Sequence, residues 1–204
     1  MQELNKVLVV TAARTGGTVL TEAFGVSIGT EYVYQEKYQY LEPVDKSTYA
    51  IPGKTAIKTA VGHLPSNWPS DEVWIEWLST LFDRVIYMGR KDVVAQAESL
   101  SYARWRMKQN MKEGTNHQWH VPYFSEMEAD EMNLKHCQRD LDKIKLLADR
   151  ANQEVFWYED IYNIDKNIRD KVHTKMGLDI TNSEVVKMLD PINKYRKSSR
   201  LSSI

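Results

Sequence analysis

Near the amino end a β-branched apolar run, Lys6 to Thr11, passes directly into Ala-Ala-Arg-Thr-Gly-Gly-Thr and then into a helical-looking stretch from Val19 to Phe24. The pattern reads as strand, glycine loop, helix. In an open parallel sheet, ligands bind beyond the carboxyl ends of the strands, where loop amides and helix N-termini converge, and Ala12 to Thr18 is the first such loop. Gly16 and Gly17 allow the backbone to turn and to approach an oxyanion closely. Thr15 and Thr18 add hydroxyl donors and Arg14 adds a fixed positive charge, so the loop suits a phosphate or a sulfate.

The rest of the chain continues the alternation. Glu31 to Tyr40 is a second strand candidate in which Tyr32, Tyr34, Tyr38 and Tyr40 recur at period two. Glu36 shares the tyrosine face, whereas Glu31 falls on the other face with Val33, Gln35 and Lys37. Lys54 to Thr59 predicts a strand running into the Gly62-His63-Leu64-Pro65 turn. Ser70 is an N-cap candidate for a helix whose Val73, Trp74, Trp77, Leu78, Leu81 and Phe82 form a core-facing stripe. Arg84 to Met88 is the next strand, and Asp92 opens a helix through Ala103. Lys112 to Ser125 reads as a long loop. Met132 to Ala151 returns to helix with Cys137, Leu141, Ile144 and Ala148 inward, and Glu154 to Tyr158 is a strand. Asp165 caps a last helix carrying Ile168, Val172 and Met176 and ending at Gly177. This alternation predicts one α/β domain over residues 1–204, three-layered, with a mostly parallel central sheet and helices on both faces.

Composition narrows the function. Among 204 residues, 27 Lys and Arg face 28 Asp and Glu, so no global field draws the protein to nucleic acid or to an anionic membrane. An anion site must be local. A lone cysteine, Cys137, suits a reducing compartment, and the short apolar run Val7 to Val10 is too short for an export signal or a bilayer span. A cytoplasmic protein without membrane insertion is the expectation. His117 and His120 with one distant cysteine are too few ligands for zinc, so no metal is expected.

The glycine loop is not a nucleoside-triphosphate P-loop, because Gly17 stands where that motif has its lysine. Three separated segments carry a different likeness. The loop, the stretch from Ile57-Lys58-Thr59 to His63-Leu64-Pro65, and Tyr87 to Ser99 together resemble the sulfotransferases that use 3′-phosphoadenosine 5′-phosphosulfate. Arg14, Thr15, Gly16, Gly17 and Thr18 resemble their 5′-phosphosulfate loop, and Arg90 with Ser99 resembles their 3′-phosphate motif. Lys91 to Ser99 is similar to a segment of bacterial trehalose-type sulfotransferases, Tyr158-Glu159-Asp160 to the family's Tyr-Glu-Asp, and Arg196-Lys197-Ser198 to its C-terminal Arg-Lys-Gly clamp. Two departures stand out: an Arg90 to Ser99 interval of nine residues where the family has eight, which brings in Lys91 or Gln96 as sharers of the phosphate role, and serine for glycine at Ser198.

The resemblance implies a P-loop NTPase-like fold and transfer of a sulfuryl group from 3′-phosphoadenosine 5′-phosphosulfate to a hydroxyl or amine of a small molecule or glycan. Adenosine 3′,5′-bisphosphate would be the product and no metal would be needed. Arg14, with Lys58 assisting, would stabilise the leaving phosphate, while Tyr158 would stack on adenine and Arg196 with Lys197 would clamp the 3′-phosphate. Two bases compete. His63 resembles the histidine in the Lys-Thr-His-Leu-Pro context of cytosolic sulfotransferases with three extra residues, whereas the trehalose type uses a glutamate near the end of the second strand, where both Glu31 and Glu36 lie in range and the tyrosine face favours Glu36. Aromatic neighbours strip water from Glu36 and favour a raised pKa, which places it ahead of His63. The rivals are a nucleotide or sugar kinase requiring magnesium and a non-catalytic module that binds a bisphosphorylated adenosine.

Overall fold

The computed structural model describes residues 5–30, 33–35, 53–62, 69–112 and 128–191. Strands β1 (Lys6–Thr11), β2 (Val33–Gln35), β3 (Thr55–Ala60), β4 (Arg84–Gly89) and β5 (Val155–Trp157) form one sheet in the order β2-β3-β1-β4-β5, with every pair parallel. Side chains alternate along each strand, and both faces are covered. Val7, Val9, Ile86 and Met88 join one apolar cluster, while Leu8, Val10, Val85 and Tyr87 join the other. That is why β1 reads as an unbroken apolar run rather than an alternating one. Val7, Leu8, Val9 and Val10 are all fully buried, each worth about 1.5–3 kcal/mol on transfer from water.

Helices α1 (Gly17–Ile28), α5 (Tyr158–Ile161), α6 (Lys166–Met176) and α7 (Ser183–Leu189) cover the first face. On the second lie α2 (Asp71–Ser79) and α4 (Glu131–Arg150), with α3 (Val93–Lys112) packed on α4 through Ala97, Leu100 and Cys137. Thus the loop after β1 leads to one layer, and the loops after its neighbours β3 and β4 lead to the other. Divergent connections of this kind open a crevice at the carboxyl edge of β1. Among the described residues no helix is long and apolar enough to cross a membrane.

Capping follows the sequence closely. Ser70, Asp165 and Asp92 each accept a backbone N–H from the first turn of their helix, from Val73, Asn167 and Ala95. Gly29 and Gly177 end α1 and α6 in the left-handed conformation. Several expectations shift. Helix α1 extends from Gly17 to Ile28, beyond the Val19 to Phe24 core of its pattern, and α7 follows a boundary that periodicity alone does not mark. In α2, Val73 is 42% exposed while Ile75 takes the buried position beside Trp74 and Leu78. Strand β5 stops at Trp157, so Tyr158 begins a helix instead of ending a strand. Of the Glu31 to Tyr40 strand, Val33–Gln35 pairs with β3 and the remainder lies outside the described residues.

The most instructive difference is in α6. The apolar spacing places Ile168 inward, yet Ile168 is 44% exposed and Arg169, His173 and Met176 are buried. Arg169 donates to the carbonyl of Asn163 and His173 Nε2 bonds the carbonyl of Ile161, each at 2.8 Å. These carbonyls belong to the last residue of the short α5 and to the chain just after it, where no next helical turn supplies an N–H, and an unpaired buried carbonyl is more costly than an exposed isoleucine.

Burial pushes the pKa of His173 below the usual imidazole range, against the opposing effect of the Ile161 bond. As pH falls through about 6.5 the unfolded chain takes up this proton before the folded one does. The stability tied to a neutral His173 is therefore fully present above that pH and is lost below it. His173→Gln keeps a donor and removes the titration, so the drop in thermal midpoint between pH 7.5 and 5.5 should be smaller than in the parent. Equal drops would assign the acid sensitivity to other groups.

Candidate functional site

The loop leaving β1 is shaped by two residues in the left-handed region, Arg14 at φ 64° and Gly16 at φ 78°. On either side of Thr15 they curl the backbone into a concave turn of the kind that gathers N–H groups around an anion. Gly16 caps α1 with no side-chain hydrogen bond, so the first amides of α1 are not closed off by a serine or aspartate. Gly17 is required for space: a Cβ there would lie 2.9 Å from Thr11 Cγ2.

Residues from other elements hold this loop. Gln96 of α3 donates its amide to the Ala13 carbonyl, and the Tyr162 hydroxyl donates to the Gly16 carbonyl, each at 2.8 Å. Thr15 is buried, its hydroxyl donating to the Ala12 carbonyl at 2.8 Å and meeting Thr11 Oγ1. Its side chain therefore shapes the loop from within. Thr18 opens outward along α1 and accepts from Lys58 Nζ at 3.3 Å, which brings β3 to the same edge.

Arg14 reaches across the loop to α3, where its Nε donates to Ser99 Oγ at 2.9 Å. Arg90, directly after β4, lies within electrostatic reach. Burial first and Arg90 second push the pKa of Arg14 down, with Tyr158 acting in the other direction. The guanidinium carbon of Arg90 stands 4.7 Å from the centroid of the Tyr158 ring, and its buried Nε makes no hydrogen bond. Tyr158 and Tyr162 pack with ring centroids 5.0 Å apart, and burial holds the Tyr162 phenol well above its ordinary pKa.

Arg14, Thr15, Gly16, Gly17, Thr18, Lys58, Arg90, Ser99 and Tyr158 thus assemble around the carboxyl ends of β1, β3, β4 and β5. The two residues considered as sharers of Arg90's role are engaged elsewhere: Lys91 Nζ pairs with the Asp160 carboxylate at 2.9 Å, and Gln96 serves the loop. Glu36, Glu31, His63, Arg196 and Lys197 lie outside the described residues, as do His117 and His120. Among the described residues no cluster of His, Cys, Asp and Glu could hold a metal ion.

Two further residues hold the site: Tyr162, which sequence reasoning missed, and Glu159, which it met only as the middle of Tyr158-Glu159-Asp160. Tyr162 supports the Gly16 carbonyl from the opposite end of the chain; its only sequence signal is a position one helical turn after Tyr158. Glu159 accepts the backbone N–H of both Lys91 and Asp92, at 3.0 and 3.1 Å, and so fastens the turn that carries Arg90. Chemically the assembly brings the turn after β1, two arginines and a lysine to one edge of the sheet, a set of donors suited to phosphate or sulfate groups on an extended ligand. Comparison with protein-family models, with curated proteins and with solved structures finds no match to this chain.

Proposed function

We propose that the protein is a cytoplasmic sulfotransferase of P-loop-like fold that moves a sulfuryl group from 3′-phosphoadenosine 5′-phosphosulfate to a hydroxyl or amine of a small molecule or glycan. One observation carries the reading. Arg14, bonded to Ser99 and largely buried, lies close enough to Arg90 for the two like charges to repel, a repulsion that an anionic ligand would relieve. The residues fit such a donor: the concave loop and Lys58 suit its 5′ end, Arg90 and Ser99 its 3′-phosphate, and the Tyr158 ring its base.

In the transfer, a bond from the acceptor oxygen or nitrogen to sulfur forms as the sulfur–oxygen bond to the 5′-phosphate breaks. The acceptor's proton passes to a base, and Glu36 is proposed for it ahead of His63. The chain's own part is to position the reactants in line and to stabilise charge on the departing phosphate, which Arg14 and the loop amides supply. Arginine, lysine and backbone donors do here what magnesium does for a P-loop kinase, so adenosine 3′,5′-bisphosphate should bind undiminished in the presence of a chelator.

The test is calorimetric binding of that nucleotide beside an acceptor screen with radiolabelled donor. Binding without turnover on any acceptor would favour a non-catalytic module, and a magnesium requirement would favour a kinase. Arg90→Ala should weaken the 3′-phosphorylated nucleotide by about 1.5–3 kcal/mol, the worth of a charged hydrogen bond, and leave adenosine 5′-phosphate nearly unaffected. Equal losses for both would place Arg90 away from the 3′-phosphate.

A further inference from the structure

We infer that Glu159 is a positioning residue that sets Arg90 for ligand capture, an inference that rests on the nucleotide reading above and deepens it. Its carboxylate closes on two successive backbone amides: Oε2 accepts from Lys91 N at 3.0 Å and Oε1 from Asp92 N at 3.1 Å. The same Oε1 lies 3.9 Å from Arg90 Nε. Tyr158, the residue before it, lies beneath the Arg90 guanidinium. One dipeptide thus supplies a ring under the arginine and a carboxylate beside it, and the carboxylate also clamps the turn that leads from Arg90 into α3.

Three consequences follow from chemistry. A free arginine loses rotamer freedom when it grips an anion, and holding its backbone and Nε in advance reduces that loss. The two amides just before α3 would otherwise be open to an anion; Glu159 occupies them and leaves an incoming phosphate to Arg90 and Ser99. Its negative charge also offsets the repulsion between Arg90 and Arg14 while no ligand is bound. At 3.9 Å the carboxylate and Arg90 Nε are not hydrogen-bonded, so the arginine remains able to engage a ligand without breaking a strong pair.

The experiment compares parent, Glu159→Gln, Arg90→Ala and the double variant. Glutamine keeps one acceptor and the side-chain volume but removes the charge and one amide bond. Two readouts are taken: relaxation and exchange of the Arg90 Nε–H signal by NMR, and calorimetric affinity for adenosine 3′,5′-bisphosphate against adenosine 5′-phosphate. In Glu159→Gln the Arg90 signal should become more mobile, and preference for the bisphosphate should fall about tenfold. In the Arg90→Ala background the Glu159 change should have no further effect on that preference. An unchanged Arg90 signal overturns the inference, as does a Glu159 effect that persists without Arg90. If the Arg90 signal loosens while the parent shows no preference for the 3′-phosphate, the positioning role stands and the nucleotide reading fails.

Discussion

Arg14→Ala should weaken adenosine 3′,5′-bisphosphate binding by about 2–4 kcal/mol, roughly thirty- to a thousandfold. The residue supplies charge and a planar fork beside Arg90, and its Nε already ties the loop to Ser99 on α3. Removing it takes away the direct contact and the crosslink together. Two effects oppose the loss: Arg90 is relieved of a like charge, and Ser99 becomes free to donate to the ligand. Neither replaces a guanidinium in a partly buried site. Arg14→Lys keeps the charge without the fork and should fall between parent and alanine. Calorimetry at fixed salt measures the series, and parent-like affinity in Arg14→Ala would remove the β1 loop from the binding site.

Phe24→Ala should lower stability by about 3–5 kcal/mol, the range for an aromatic removed from a core. Phe24 is fully buried in α1 and belongs to the cluster shared by β1, β4, α6 and α7. For a chain of this length the thermal midpoint should fall by about 10 °C. Urea titration should show a lower midpoint with an unchanged slope. Because α1 begins at the glycine loop, nucleotide affinity measured well below the new midpoint should stay near that of the parent, which separates the packing role of Phe24 from the binding role of Arg14.

Much of the architecture was legible along the chain because its signals are local. The strand, loop and helix at Lys6 to Ile28, the caps at Ser70, Asp92 and Asp165, and the terminating Gly177 each act within one turn of backbone. Apolar periodicity likewise marked Cys137, Leu141, Ile144 and Ala148 as the inner face of α4, and all four are buried. Alternating strands and helices implied parallel pairing, since crossover helices are the short way to join parallel neighbours. Arg14 and Arg90 could be assigned to one edge of the sheet from this alone.

Contacts between distant segments were not legible. Arg14 meets Ser99 across 85 residues, and Tyr162 meets Gly16 across 146; both depend on strand order and register, which place β1 between β3 and β4. The orientation of α6 was set by carbonyls of a neighbouring segment that required donors, which no periodicity within α6 encodes. Glu159 stands out in sequence only as the middle of Tyr158-Glu159-Asp160, and its role as the clasp on the Arg90 turn exists because β5 pairs in parallel with β4 and delivers both loops to the same edge. Local backbone preference and amphipathic spacing chose the elements. The satisfaction of buried polar groups between elements chose how they face one another, and with it the geometry of the site.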